Sequence, residues 1–273
     1  MKKNFCLLFL LCAFGIVRAE EWKKIDVSSM QFIYNYQFYE EHKNPSSVKS
    51  CVMLLEVGKL YSKFYSSSRA YADSLVMLYA NEPPQVAANK ILPQISGLRE
   101  HGYCRHYVFK NYPSQGRNVF LGSAFGDFYR VEEKLQFDWE IDNGAQKVIL
   151  GMNYIKATCR YAGRDYEAWF TPDIPISDGP YKFSGLPGLI VKLQDSDEEH
   201  IFELQEVRKV NNKPMYFPAK TYTSTSARGY TRTLEAAKAP LIEQLQSATY
   251  SDPEMLTRAI ARVQRQNNFI ERY

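Results

Sequence analysis

Residues 30–39 read MQFIYNYQFY. Met30, Phe32, Tyr34, Tyr36 and Phe38 alternate with Gln31, Ile33, Asn35, Gln37 and Tyr39. A period of two places the first set on one face of an extended strand, and aromatic side chains suit such a pleated, half-buried surface. The chain holds 20 Tyr and 16 Phe in 273 residues, so the pattern has material to recur. SCVMLLEV (50–57) and KLYSKFYS (59–66), divided by Gly58, read as a hairpin following this strand. Ser67 or Ser68 then caps a helix over Ala70 to Ala80, which Pro83 and Pro84 stop. Residues 85–98 hold a second short helix or an insert.

From Tyr103 onward short strands return: CRHYVFKN, NVFLGSAF, DFYRVEEKLQ and AQKVILGM, each bounded by turn residues. In 154–161, Ile155, Ala157, Cys159 and Tyr161 share one face, so Cys159 is expected to be buried. DYEAWFT (165–171), Leu189–Leu193 and Ile201–Val207 are the last clear strands, the final two joined by the acidic turn DSDEE (195–199). TLEAAKAPLIEQLQSA and DPEMLTRAIARVQRQNN then show helical spacing, with Asp252 and Pro253 as a helix start. The expected fold class is α+β. A mainly antiparallel β-sheet, with room for strong curvature, carries a few packed helices. One domain covers residues 20–273, with a helical C-terminal region over about 230–273.

The first 19 residues have the three parts of a secretory signal peptide. Lys2 and Lys3 are charged, Cys6 to Val17 are almost wholly apolar, and Val17-Arg18-Ala19 precedes a cut near Ala19. A lipoprotein cut before Cys12 is the rival, but Leu11 stands where a small residue is wanted. The signal run is too short to span a bilayer as a mature helix, and no later segment is long enough. Lys2, Lys3 and Arg18 are three of the 34 basic residues, so the rest carries 31 basic against 30 acidic side chains, a formal charge of +1. That balance argues against nucleic-acid partners. Cys51, Cys104 and Cys159 remain after cleavage. They form one disulfide and a thiol, in any of three pairings, or stay as three buried thiols.

Local motifs for chemistry are scarce. GSAFG (122–126) has its serine one place too early for a nucleophile elbow. HGYCRH brings His101, Cys104 and His106 close in sequence, without a second ligand pair at metal spacing. DSDEEH (195–200) reads as a solvated acidic hairpin, since a calcium loop would need a glycine at its bend. There is no Walker loop, dinucleotide fingerprint or HExxH, so neither cofactor nor metal is expected. A hydrolase built from distant carboxylates, such as Asp165, Asp173 and Asp178 with Arg164 or Lys182, leaves no local motif.

One long stretch, GRDYEAWFTPDIPISDGPYKFSGLPGLIVKLQD (163–195), resembles the signature of the GLPGLI family, secreted proteins known mainly from Bacteroidetes. EVGKLYSKFYSSSRAYADS (56–74), FDWEI (137–141) and KATCRYAGR (156–164) are similar to other blocks of that family. NNFIERY resembles its ending, with Phe269 in place of a proline, and Met152 stands where an aromatic residue is expected. The resemblance implies an envelope protein without an established activity, often encoded beside TonB-dependent outer-membrane receptors. It makes the signature loop the candidate binding surface for a receptor or for an apolar or peptide ligand: Arg164, Trp169, Pro172, Asp173, Pro180, Tyr181, Phe183, Gly185, Leu186, Pro187 and Gly188. The competing expectation is structural. Pro187 and Gly188 suit the second and third positions of a type II turn that feeds the strand LIVKL.

Overall fold

The computed structural model of the chain describes residues 21–96, 104–124, 126–149, 151–247 and 253–273. The expected signal peptide, His101 and the Asp252 cap lie outside them.

Among the described residues, twelve strands form one sheet. They are β1 (Glu21–Tyr39), β2 (Val48–Gly58), β3 (Ser62–Ser66), β4 (Tyr107–Lys110), β5 (Arg117–Ala124) and β6 (Asp127–Lys134). The second half supplies β7 (Glu140–Ile149), β8 (Met152–Tyr161), β9 (Arg164–Thr171), β10 (Leu189–Asp195), β11 (His200–Ala219) and β12 (Thr223–Thr225). The order is β12-β6-β5-β4-β3-β2-β1-β11-β10-β9-β8-β7. All neighbours are antiparallel except β12 and β6. Chain neighbours thus pair as simple meanders on each side, and two long-range pairings, β1 with β11 and the short β12 with β6, join the two halves.

The alternation at 30–39 sits at that junction. Phe32, Tyr34 and Tyr36 are buried on one face, and Gln31 and Ile33 are buried on the other. Tyr36 stacks on Phe202 of β11 with ring centroids 4.0 Å apart. Phe64, Phe170, Phe183, Leu189, Ile190 and Leu193 extend this core. The opposite face has a smaller aromatic cluster around Tyr107, Phe109 and Phe217.

β1 and β11 are longer than the alternation alone suggests. Strand β11 continues through Asn211, Asn212 and Pro214, residue types common in turns. Asn212 takes a positive φ of 47°, and pairing resumes at Lys213 with Ser28. The register shift there is a bulge, which absorbs the irregular residues without ending the strand.

Among the described residues, five α-helices complete the fold: α1 (Ser67–Leu78), α2 (Pro84–Ile95), α3 (Ala227–Ala236), α4 (Lys238–Ser247) and α5 (Pro253–Arg265). Ser66 caps α1, its hydroxyl accepting from Arg69 N. Leu75, Ile91, Leu92 and Ile95 close α1 against α2. After Arg265 the chain leaves the helix, and its last residues run back over the sheet.

Candidate functional site

The signature loop is held by buried charges. Lys110, at the end of β4, is 2% exposed and binds Asp178. Its ammonium also donates to Gly179 O at 2.5 Å and Phe183 O at 3.0 Å. Burial pulls the Lys110 pKa down, and Asp178 opposes it. Tyr34 OH donates to Ile190 O at 2.8 Å, and Trp139 Nε1 donates to Ser184 O at 2.9 Å. Phe183 fills the space between Phe137, Tyr161 and Tyr166.

The GLPGLI turn differs from a type II turn. Gly188 N donates to Leu186 O at 2.8 Å, a tighter three-residue turn, while Leu189 N donates to Ile174 O rather than to Leu186. Gly188 has φ +154°, and a Cβ there would lie 2.2 Å from Thr171 O. The glycine is required because two backbones pass in contact.

Two further signature cations hold the C-terminal segment. Arg164, 4% exposed, donates to Asp195 (2.5 Å), Asn268 Oδ1 (2.5 Å) and Phe269 O (2.8 Å). Glu199 lies 3.3 Å from the same guanidinium and is also bound by Arg272 (2.7 Å) and His42 (2.7 Å). The acidic hairpin is therefore solvated only at its tip: Ser196, Asp197 and Glu198 are exposed, while Asp195 and Glu199 fold inward because Arg164 waits beneath them. Asp195, Asp197 and Glu199 are near enough to share a cation, but Arg164 and Arg272 already supply the counter-charge. Lys182 binds Glu133 at 2.5 Å and Glu271 at 2.6 Å. Glu271 also accepts from Tyr161, Tyr181 and Tyr273. Burial works against the charge of Glu271, but Lys182 and the tyrosine hydroxyls hold its pKa below the usual carboxylate value. Gly163, at φ +78°, lets Arg272 O pass where a Cβ would be 2.2 Å away.

A cavity of about 260 Å³ opens beside this tail, between the β5–β6 end of the sheet and helix α3. Phe38, Phe120, Val131, Ala227, Tyr230, Leu234, Phe269 and Ile270 form apolar wall. Its polar groups include Tyr36, His106, Tyr181, Lys182, His200, Asn268 and Glu271, with Arg105 exposed among the lining residues. His106 stacks on Phe120 at 5.5 Å and meets the Tyr181 ring edge-to-face at 5.6 Å. Its Nε2 is buried and, among the described residues, has no hydrogen-bond partner. Burial, helped by the charge of Lys182 and opposed by Glu271, lowers the His106 pKa to about 4. The ring is neutral at pH 7, with one nitrogen left to donate or accept.

The expected site residues divide into three groups. Arg164 and Tyr181 meet at the tail, and Tyr181 also lines the cavity. Pro180, Phe183, Leu186 and Gly188 are buried in the core that shapes the loop. Trp169, Pro172, Asp173, Gly185 and Pro187 lie away from the cavity. Trp169 donates to Glu167 and lies under Lys147, while Asp173 accepts from Asn153 N at 2.7 Å. The three carboxylates weighed for hydrolysis are also apart in role. Asp178 is buried on Lys110, Asp165 is exposed beside Arg160, and Asp173 closes a surface turn. The sequence pattern presents His106 only as a metal-ligand type, and nothing in it singles out Tyr230, Lys110 or Glu271. The nearest to a hint is Lys110, a lone cation ending the apolar run YVF.

Residues 139–192 match the family model described as "Protein of unknown function (Porph_ging)", a domain named for Porphyromonas gingivalis, a Bacteroidetes. The matched segment contains the GLPGLI turn. No curated protein matches the chain in sequence. Among solved structures, PNGF-II is similar in its C2 and P21 crystal forms, at TM-scores of 0.49 and 0.48 and identities of 11% and 13%. Those matches cover 77% of this chain, which spans about a third of the length of PNGF-II, 33% and 34%.

Proposed function

We propose that this is an exported envelope protein that binds a small ligand, or the apolar side chain of a peptide, without transforming it. The observation that carries the reading is His106 Nε2, which has no partner among the described residues, in a ring that lines an aromatic cavity. A buried, unsatisfied polar atom costs about 1–3 kcal/mol, and a hydrogen-bonding head on a ligand would recover it. Aromatic walls with a few placed polar groups are the usual composition of such pockets. The ligand this chemistry suits has an apolar body and one hydrogen-bonding head. Export rests on the charged, apolar and small-residue parts of residues 1–19, and cleavage is proposed near Ala19. Action beside an outer-membrane TonB-dependent receptor rests on the resemblance of the signature alone.

The test is to extract the protein from a bacterial envelope and identify small molecules released on denaturation. Thr231→Trp, on the cavity-lining face of α3, fills space in the cavity without replacing a charged residue. The parent should carry a ligand that this variant lacks. No ligand in the parent, or equal loading of both, overturns the reading.

A further inference from the structure

We propose that Cys51 and Cys104 are the sites of a disulfide, formed by exchange with an external disulfide, and that Cys159 stays a thiol. Nothing in the mechanism of binding uses these cysteines, so the inference stands apart from the ligand. Sγ of Cys104 lies 2.9 Å from Sγ of Cys51, inside non-bonded contact for two sulfurs. Both residues are buried, at 8% and 5% exposure. Neither has room to swing away. Cys51 is paired with Tyr36 inside β2, and the backbone before β4 is fixed by Ser66 Oγ donating to Cys104 O at 2.6 Å. Strand β3 lies between β2 and β4, and it ends at Ser66, where Cys104 crosses towards β2. The crossing sets the two side chains face to face, which is the geometry a disulfide needs from its flanking backbone.

Cys159 is excluded by topology. It lies in β8, five strands from β2 in the sheet order, roughly 24 Å measured along the sheet at the usual strand spacing. Cys104, in contrast, lines the cavity, so a small disulfide has a route to its sulfur. The steps balance. The Cys104 thiolate attacks RS–SR, forming a mixed disulfide and releasing RS⁻. The Cys51 thiolate then attacks the Cys104 sulfur and displaces the second RS⁻. The two protons lost by the cysteines are taken up by the leaving thiolates, and RS–SR, a low-molecular-weight disulfide such as oxidised glutathione, receives the two electrons.

The experiment uses the full chain, reduced and then treated under native conditions with oxidised glutathione. Remaining thiols are blocked with N-ethylmaleimide in denaturant, and the unreduced digest is read by mass spectrometry. The expected product is one cross-linked peptide pair containing Cys51 and Cys104, with Cys159 alkylated. In parallel, thermal melts of the oxidised and reduced parent should differ, the oxidised form melting higher. The Cys104→Ser variant should show no such redox shift. A cross-link through Cys159, alkylation of all three cysteines, or a stable glutathione adduct at Cys104 would each overturn the proposal.

Discussion

Replacing Lys110 by Met tests whether the signature loop is held by its buried ion pair. The ammonium is the charge partner of Asp178 and also binds two loop carbonyls, those of Gly179 and Phe183. Met keeps most of the volume but leaves Asp178 buried, with Gly179 N as its remaining donor. Removing one member of a buried pair costs about 3–5 kcal/mol, because the other charge stays desolvated. At about 2–4 °C per kcal/mol for a chain of this size, the melting temperature should fall by about 6–20 °C. The double variant Lys110→Met/Asp178→Asn removes both charges and should recover a large part of that loss. The assay is a set of urea and thermal melts on the parent, both single variants and the double. A Lys110→Met variant melting within about 2 °C of the parent, or a coupling below about 0.5 kcal/mol, would refute the clamp.

Acid should weaken the fold well above the carboxylate range. His106 and His200 have folded pKa values of about 4 and about 3, set chiefly by burial, with Lys182 and Arg164 adding. The unfolded chain takes up both protons below about 6.5, so stability is complete above that pH and falls towards pH 4, by about 2 kcal/mol per histidine between pH 7 and 5. Urea midpoints that stay level over this interval would contradict it. The depressed pKa of Glu271 acts in a lower window, its contribution present above the ordinary carboxylate pKa and lost as pH falls through the folded value. Gly188→Val should cost at least the about 1–3 kcal/mol of a strained positive φ, since its Cβ also meets the Thr171 carbonyl; an unchanged melting temperature would free the turn for a binding role. Cys159, whose pKa burial pushes up to about 12 with help from Asp138 and Asp165, should resist native thiol labelling until the chain unfolds.

Local physics was readable wherever it was periodic. The alternation at 30–39, the hairpin around Gly58 and the face shared by Ile155, Ala157 and Cys159 each depend on residues a few places apart. The first helix was readable for the same reason, through its proline stop at Pro83–Pro84, although its cap is Ser66 rather than Ser67 or Ser68, and the second was legible only as one of two alternatives for residues 85–98. The buried ion network was not. Arg164 meets Asn268 and Phe269 over 104 and 105 positions, and no spacing rule spans that interval. The acidic turn misled because composition reports charge and not direction, and only the presence of Arg164 beneath the turn draws Asp195 and Glu199 inward. The candidate pocket was almost wholly unreadable. Its walls come from β1, β5, β6, β11, α3, the signature loop and the tail, and its distinguishing atom, His106 Nε2, is defined by the lack of a partner among the described residues.

The pairing of β1 with β11 has a consequence for how the protein is made. Tyr36 and His200, hydrogen-bonded across that seam, are 164 residues apart. At roughly 5–20 residues per second of synthesis, one side of the first strand finds β2 within seconds, while its other side waits roughly 10–30 seconds for its partner to emerge. During that interval Phe32, Tyr34 and Tyr36 stand on an open strand edge, the kind of template on which nascent chains join one another. Long-range closure is therefore the step at which a holding chaperone has most to protect, and slowing elongation between β2 and β11 should raise aggregation of the newborn chain more than the same delay placed after β11.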